Sequence, residues 1–222
     1  MELPTLDDLA NKYVTDKGTK YPDGSRHGYA PFYDKFLTPM RHDPIRMLEV
    51  GVWMECTQGG ESIRMWNEYF DKASIYTFDI RDMTNHPAVT ENDRVHFFLG
   101  DQSNRENLTS MYEAYGSQEF DFILEDGSHV HHHQMISLGH LFKYVKPGGF
   151  YILEDMSQPG KPVCCIRNDL SLPTIQELKA TGKINNPNIT EEEKTYLEEH
   201  VDRVEIFIDV KDAYATAIIF KK

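Results

Sequence analysis

Carboxylates follow two short apolar segments of this sequence. Residues 120–124 precede Glu125 and the tetrapeptide Asp126-Gly127-Ser128-His129, and residues 150–153 precede the pair Glu154-Asp155. Short apolar runs of this kind are typical of strands buried in a parallel sheet. The acids and the histidine are therefore predicted to stand at the ends of two buried strands.

The segment between the two runs has helical spacing, so the runs and their linker form a predicted βαβ unit. Ligands of open α/β sheets bind in the crevice outside the carboxyl ends of the strands. We therefore expect Asp126, His129, Glu154 and Asp155 to share one crevice. Neighbouring carboxylates repel one another unless a cation neutralises them, and carboxylate oxygens suit Mg²⁺, Mn²⁺ or Ca²⁺. The predicted metal ligands are Asp126, Glu154 and Asp155.

His129 is the candidate general base beside that metal. Imidazole is the usual base near neutral pH, and a metal lowers the pKa of a hydroxyl that it holds. A second arrangement stays open, because Asp126, His129 and His133 provide the two histidines and one carboxylate of a non-haem iron oxygenase. The carboxylate site is favoured, since His129 precedes the predicted helix and helical spacing does not apply to it. A hydrogen bond from His129 to the backbone at the helix start is the purely structural alternative.

A second group of residues fits a nucleoside-binding unit. Glu49-Val50-Gly51 ends one predicted strand, and Asp79 ends the next. The glycine lets a ligand approach the backbone, and the acid after the second strand accepts ribose hydroxyls. No G-x-G-x-x-G motif is present and Trp53 is close, so S-adenosylmethionine, which has no phosphates, fits better than a dinucleotide. Asp101-Gln102 is predicted to approach the adenine, although Asp101 also suits a helix cap.

Periodic patterns in the rest of the sequence predict an α/β fold. Strands are predicted at 45–52, 74–80, 95–101, 120–124, 150–154, 203–210 and 214–221. Helices are predicted near 5–14, 31–37, 59–70, 107–115, 131–145, 172–181 and 191–200, with a long loop at 15–29. This order indicates a Rossmann-like, mostly parallel seven-stranded sheet with a C-terminal antiparallel strand pair and helices on both faces.

A single domain is expected over residues 1–222. An N-terminal helix and lid loop are predicted at 1–44, a cofactor- and metal-binding core at 45–156, and substrate-side helices with the terminal strand pair at 157–222. The last two strands are expected to meet at a tight turn over 211–213, and Thr190 with Glu193 forms a predicted capping box.

The composition excludes several classes of function. The chain has 222 residues, a formal net charge of −13 and three cysteines. Such an acidic chain lacks the basic face with which proteins bind the phosphates of duplex nucleic acid. Cys56, Cys164 and Cys165 do not form the disulfide framework of a small secreted domain. Because neither a membrane span nor a signal peptide is recognisable, we expect a cytoplasmic protein that binds neither nucleic acid nor membranes.

These motifs together resemble one family. The chain is similar to the bacterial sugar O-methyltransferases of natural-product pathways, of the macrocin/mycinamicin and rhamnosyl O-methyltransferase types, over most of residues 8–156. The resemblance rests on Tyr13-Val14-Thr15-Asp16-Lys17-Gly18-Thr19, His27-Gly28-Tyr29, Leu48-Glu49-Val50-Gly51-Val52-Trp53, Arg64-Met65-Trp66, Phe78-Asp79-Ile80, Gly100-Asp101-Gln102, Glu125-Asp126-Gly127-Ser128-His129 and Leu153-Glu154-Asp155. The chain departs from the family at Met54–Gln58, where a glycine- and serine-rich run is common, and at Glu125, where aspartate is common.

The resemblance implies a class I methyltransferase fold, S-adenosylmethionine as methyl donor, and Mg²⁺ or Mn²⁺ on Asp126, Glu154 and Asp155, with His129 as base. It also implies a glycosylated small molecule as acceptor, and it leaves open a homo-oligomer. A protein that binds S-adenosylmethionine without transferring a methyl group is a further alternative. Contacts of Lys17, Gly18 and Tyr29 with the cofactor come from the resemblance alone. The full set of predicted cofactor-binding residues is Lys17, Gly18, Tyr29, Glu49, Gly51, Asp79, Asp101, Gln102 and Asp126.

Overall fold

A computed structural model describes residues 3–20, 27–53, 57–157, 171–208 and 214–222. The three cysteines, the start of the inserted segment 54–58 and the predicted turn at 211–213 lie outside the described residues.

One mixed sheet forms the centre of the described structure. Its strands are β1 Arg46–Val50, β2 Ser74–Asp79, β3 Val95–Leu99, β4 Phe120–Glu125, β5 Val145–Ser157, β6 Val201–Ile208 and β7 Tyr214–Lys221. They lie in the order β3-β2-β1-β4-β5-β7-β6. The first five pair in parallel, whereas β7 pairs antiparallel with both β5 and β6. The predicted seven-stranded sheet with a C-terminal antiparallel pair is therefore confirmed.

Helices precede and link the strands. They are α1 Leu6–Tyr13, α2 Ala30–Leu37, α3 Glu61–Tyr69, α4 Pro87–Thr90, α5 Arg105–Ala114, α6 His131–Leu141, α7 Ser171–Thr181 and α8 Glu191–His200. The sequence did not predict the single turn of α4. The capping box of Thr190 and Glu193 is present at the start of α8, as predicted. No helix in the described part of the chain is long and apolar enough to cross a membrane.

The helices cover both faces of the sheet, as predicted. Successive side chains of a strand point to opposite faces, so Met47 packs in the core beneath α1, α2 and α3 together with Trp66. Its neighbour Leu48 packs in the other core with residues of α5, α6, α7 and α8. Both layers are closed by large apolar side chains, and the polar groups of interest emerge where the parallel strands end.

The turn after β1 brings two parts of the backbone very close together. Gly51 has a φ of 88°, and a Cβ atom built on it would lie 2.0 Å from the carbonyl oxygen of Asp126. The Asp126 N–H donates a hydrogen bond of 2.8 Å to the carbonyl of Val50. Only glycine lets the end of β1 approach the turn after β4 this closely.

We expect Gly51→Ala to lower the free energy of unfolding by about 3 kcal/mol or more, because it adds a backbone clash to an unfavourable φ. Gly148→Ala is a matched control, since Gly148 has a φ of 78° but an added Cβ would meet nothing within 4 Å. That control should cost only about 1–2 kcal/mol. Urea denaturation of both variants measures the difference, and equal losses would contradict the predicted clash.

Candidate active site

An irregularity in β5 brings both of its acids to the same side of the sheet. The pairing register of β5 with β7 shifts at Glu154 and Asp155, and Asp155 has a φ of 52°. In a regular strand these two side chains would point to opposite faces. Here the Tyr33 hydroxyl donates to Glu154 Oε1 and the Tyr29 hydroxyl donates to Asp155 Oδ1, each at 2.8 Å. The bulge therefore places both acids in one buried cluster.

The turn after β4 adds Asp126 and His129 to this cluster. His129 has a φ of 54°, an uncommon conformation for a residue other than glycine and one that recurs at functional sites. Its Nε2 atom lies 3.0 Å from Asp126 Oδ1 and 3.4 Å from Asp155 Oδ2. The predicted crevice that contains Asp126, His129, Glu154 and Asp155 is thus present in the structure.

The loop between α1 and α2 supplies positive charge to the acids. Lys17 Nζ contacts Asp126 Oδ2 and lies 2.9 Å from Glu154 Oε2. The side chain of Lys17 is 2% exposed and that of Glu154 is 1% exposed, so this ion pair is shielded from water. From the same loop, His27 Nε2 lies 3.7 Å from Asp155 Oδ2. The N-terminal segment therefore covers the acids with hydrogen-bond donors.

Burial and mutual proximity shift the pKa values of the cluster in different directions. Burial raises the pKa of Glu154 well above its usual range, although Lys17 opposes this shift. Burial would also raise the pKa of Asp126, but Lys17 and His129 outweigh it and hold that pKa below its usual range. Burial alone would lower the pKa of His129, whereas Asp155 and Asp126 raise it to about 10. A cation bound by the acids would weaken the field that keeps His129 protonated.

Three side chains of the cluster are arranged as metal ligands usually are. In the described part of the chain, Asp126, His129 and Asp155 have ligand atoms within 4.8 Å of one another. Glu154, which was also predicted as a ligand, is not in this group, and Lys17 connects it to Asp126 by contacting both carboxylates. His133 turns away, and its Nδ1 atom lies 2.8 Å from the Ser128 hydroxyl. Because His129 precedes α6, helical spacing does not align the two imidazoles, and the described residues do not assemble the alternative iron triad of Asp126, His129 and His133.

A cavity of about 600 Å³ adjoins the cluster. Its walls come from the ends of β1, β2 and β3 and from the turn after β4. The lining includes Gly51, Asp79, Arg81, Asp101, Gln102 and His129. His129 therefore belongs both to the acidic cluster and to the wall of the cavity.

Asp79 holds the floor of the cavity in shape. Its Oδ2 atom accepts hydrogen bonds from the backbone N–H groups of Val52 at 2.8 Å and Trp53 at 3.1 Å. Its Oδ1 atom accepts from the N–H of Arg81 at 2.7 Å. Since each carboxylate oxygen has two acceptor positions, Asp79 keeps capacity for a ligand. Asp101 instead accepts from the Ser103 N–H and hydroxyl. Its predicted role as the cap of the next helix is wrong, because the side chain of Asn104 caps α5.

Gln102 connects the third strand end to the turn that carries the histidine. Its Nε2 atom donates to Glu125 Oε1 at 2.6 Å, and its Oε1 atom accepts from the Ser128 N–H at 2.7 Å. A Cβ atom on Gly127 would lie 1.8 Å from Gln102 Oε1, so the amide packs directly against this glycine and a larger residue there would displace it. Gln102 lines the cavity and also fixes the position of the turn.

Five residues predicted to bind the cofactor do not line this cavity. Asp126 belongs to the acidic cluster. Lys17 and Tyr29 contact the acidic cluster, and Gly18 packs against Asn11 of α1. Glu49 points to the face that carries α3, where it accepts from the Ser62 hydroxyl at 2.9 Å and from Trp66 Nε1 at 3.1 Å. Strand alternation explains this position, because Val50, the next residue of β1, is the one that lines the cavity.

Sequence reasoning missed two residues of the cluster, Tyr33 and His27. Tyr33 stands one helical turn after Tyr29, so a pattern of two tyrosines on one face of α2 was available as a signal. His27 had no comparable signal beyond its place in a matched segment, because its contact with Asp155 depends on the path of the loop. Arg81 of the cavity wall was also missed, whereas Trp53 was expected beside the cofactor. The Trp53 ring centroid and the Arg81 guanidinium lie 5.5 Å apart.

The sequence is similar to those of known O-methyltransferases. No protein-family model matches the sequence. Over 155 residues, or 69% of the chain, it is 36% identical to demethylmacrocin O-methyltransferase of Streptomyces fradiae. It is likewise 36% identical over 155 residues to mycinamicin VI 2''-O-methyltransferase of Micromonospora griseorubida. Both matches cover 36% of the relative, so the chain matches little more than a third of the length of these curated relatives.

Solved structures give the same result for the fold. The MycE methyltransferase of the mycinamycin biosynthetic pathway, in complex with Mg and SAH, superposes with a TM-score of 0.75 at 27% identity, covering 99% of this chain and 55% of that one. An O-methyltransferase from Bacillus cereus in complex with SAH superposes with a TM-score of 0.58 at 16% identity, covering 98% of this chain and 90% of that one. The class I methyltransferase fold and the resemblance to sugar O-methyltransferases are therefore confirmed.

The buried acid Glu49 predicts a pH dependence of stability. Burial raises its pKa to about 7 from a reference of 4.5, so the native protein binds this proton more tightly than the unfolded chain does. Its contribution to stability is therefore lost as the pH rises from about 4.5 to 7. Glu49→Gln cannot ionise, and it should gain stability relative to the natural protein over that interval, by at most about 3 kcal/mol.

Urea denaturation at pH 4.5 and pH 8 measures this effect. Glu113→Gln is the control, because Glu113 is exposed on α5. A stability difference between Glu49→Gln and the natural protein that stays constant across the interval would contradict the prediction.

Proposed function

Because this chain is a relative of the sugar O-methyltransferases of macrolide and tetracenomycin pathways, we propose that it transfers a methyl group from S-adenosylmethionine to a sugar hydroxyl of a glycosylated small molecule. The main support for this proposal is that His129 belongs both to the acidic cluster and to the wall of the adjoining cavity. A base in that position can serve a hydroxyl held between a metal and a methyl donor.

The cavity suits S-adenosylmethionine. Its volume of about 600 Å³ is in the range of small-ligand sites. Gly51 lines this cavity, and Asp79 stands where ribose hydroxyls bind in nucleoside-binding sheets. Asp79 and Asp101 place negative charge along the wall, which favours a cofactor without phosphates over a dinucleotide.

The acidic cluster suits a divalent cation of the Mg²⁺ or Mn²⁺ type. Asp126, Glu154 and Asp155 offer the oxygen donors that such ions prefer. Glu154 and Asp155 are buried and Asp126 is half-buried, and the mutual repulsion of these carboxylates makes positive charge favourable at this point. When bound, the metal supplies Lewis-acid polarisation that makes a hydroxyl easier to deprotonate.

The residues of the chain then divide the remaining work. His129 accepts the proton of the acceptor hydroxyl, while Asp126 and Asp155 orient its imidazole. The hydroxyl oxygen bonds to the methyl carbon as the carbon–sulfur bond breaks, which leaves S-adenosylhomocysteine. Gln102 holds the turn that carries His129 through the Ser128 N–H. Positioning of the two reactants supplies much of the rate in a transfer of this kind.

Asp79→Asn should raise the dissociation constant of S-adenosylmethionine at least about tenfold, because a carboxylate accepts ribose hydroxyls more strongly than an amide does. Asp82→Asn is the matched control, since Asp82 is three positions away and exposed. Isothermal titration calorimetry measures both affinities. Unchanged affinity in Asp79→Asn, with the melting temperature of the free protein preserved, would remove Asp79 from the cofactor site.

Asp126→Asn should impair the proposed metal site and leave the proposed cofactor site intact. We expect Mn²⁺ affinity to fall at least about tenfold and turnover to be lost, because a ligand charge is removed. Affinity for S-adenosylmethionine should stay within about threefold, since the cavity walls are retained. Turnover is followed as release of S-adenosylhomocysteine with demethylmacrocin and mycinamicin VI as probe acceptors, and the exposed Asp93→Asn serves as control. Equal losses of metal and cofactor affinity would contradict this separation of the two sites.

A further inference from the structure

Lys17 occupies the centre of the proposed metal centre. Its ammonium group contacts Asp126 Oδ2 and Glu154 Oε2, two of the three proposed ligands. We propose that Lys17 is a tethered cation that competes with the divalent metal, so that metal binding displaces its ammonium group from both carboxylates. This inference rests on the proposed metal centre and adds a residue that regulates occupancy of that centre.

All four carboxylate oxygens of Asp126 and Glu154 have a hydrogen-bond partner in this structure. Oxygen Oδ1 of Asp126 faces His129, and Oδ2 faces Lys17. Oxygen Oε1 of Glu154 accepts from the Tyr33 hydroxyl, and Oε2 accepts from Lys17. A metal that bound Asp126 and Glu154 together would meet the ammonium group at the same oxygens. Two cations at such short range in a buried site repel strongly, so one must leave.

The group that moves is the side chain, because the backbone around Lys17 is held in place. The Lys17 carbonyl accepts from the Ala30 N–H at 2.9 Å, and the Thr15 carbonyl accepts from the Gly18 N–H at 3.2 Å. The next residue, Thr19, donates its N–H to Asp7 Oδ1 at 2.8 Å. The lysine stem has four flexible carbons, so its ammonium group can leave the acids without unfolding the loop.

Two possible roles of Lys17 predict opposite effects of its substitution on metal affinity. If Lys17 competes with the metal, its removal leaves a more negative cluster and strengthens metal binding. If Lys17 instead fixes Glu154 in the geometry that the metal needs, its removal weakens metal binding. The affinity of the cofactor-free protein for Mn²⁺ therefore distinguishes the two roles without any measurement of methyl transfer.

The experiment titrates Mn²⁺ into the full chain and counts the free ion by electron paramagnetic resonance. Lys17→Met should bind Mn²⁺ at least about tenfold more tightly than the natural protein. Lys12→Met is the matched control, since Lys12 lies on α1, is 54% exposed and pairs with Glu68 away from the cluster. It should bind as the natural protein does. Equal or weaker binding by Lys17→Met would overturn the competition.

Two further outcomes are informative. Absence of Mn²⁺ binding in both the natural protein and Lys17→Met would overturn the metal centre and this inference together, whereas equal binding overturns the inference alone. If Lys17→Met does not fold without metal, refolding with Mn²⁺ should restore the native circular dichroism spectrum, because the ion replaces the missing positive charge. Failure of Mn²⁺ to restore it would contradict the proposal.

Discussion

The need to neutralise three neighbouring carboxylates, two of them buried and one half-buried, governs the arrangement of this protein around its candidate site. Asp126, Glu154 and Asp155 meet at the ends of two adjacent parallel strands, where water is largely excluded. Carboxylates in such a place are stable only with donors or cations around them. The first thirty-odd residues provide these partners, because Lys17, His27, Tyr29 and Tyr33 all turn toward the acids. The N-terminal segment is thus held on the sheet by charge and hydrogen bonds as well as by its apolar contacts.

The same constraint connects the acids to the cavity beside them. His129 is drawn to Asp126 and Asp155, yet its left-handed backbone also places it in the cavity wall. Gln102 holds the turn in that position, because it accepts from the Ser128 N–H and packs against Gly127. The candidate general base therefore stands between the proposed cation site and the proposed nucleoside site. Methyl transfer to a hydroxyl uses these three elements together, which is why the proposed function follows from their adjacency.

Much of the fold and of the candidate site could be predicted from local sequence. The remaining features depend on contacts between residues that are far apart in the chain. Apolar runs that are followed by acids located Asp126, Glu154 and Asp155, although β5 continues past its two acids to Ser157. The bulge that turns Glu154 and Asp155 to one side depends on the register with β7, far along the chain. The partners of Lys17 depend on the path of a loop, so its predicted contact with a cofactor rested on resemblance only. The position of Glu49 was accessible from strand alternation, since it shares a face with Met47 rather than with Val50.

Diffraction from crystals grown with Mn²⁺ and S-adenosylhomocysteine locates the proposed metal site and the proposed nucleoside site in a single experiment. The anomalous signal of manganese locates the ion independently of any assumed ligand set. We expect one strong anomalous peak for a manganese ion that Asp126, Glu154 and Asp155 coordinate. We expect the nucleoside in the adjoining cavity, against Asp79. A nucleoside in that cavity with no manganese at the acids, or manganese bound elsewhere on the chain, would contradict these expectations.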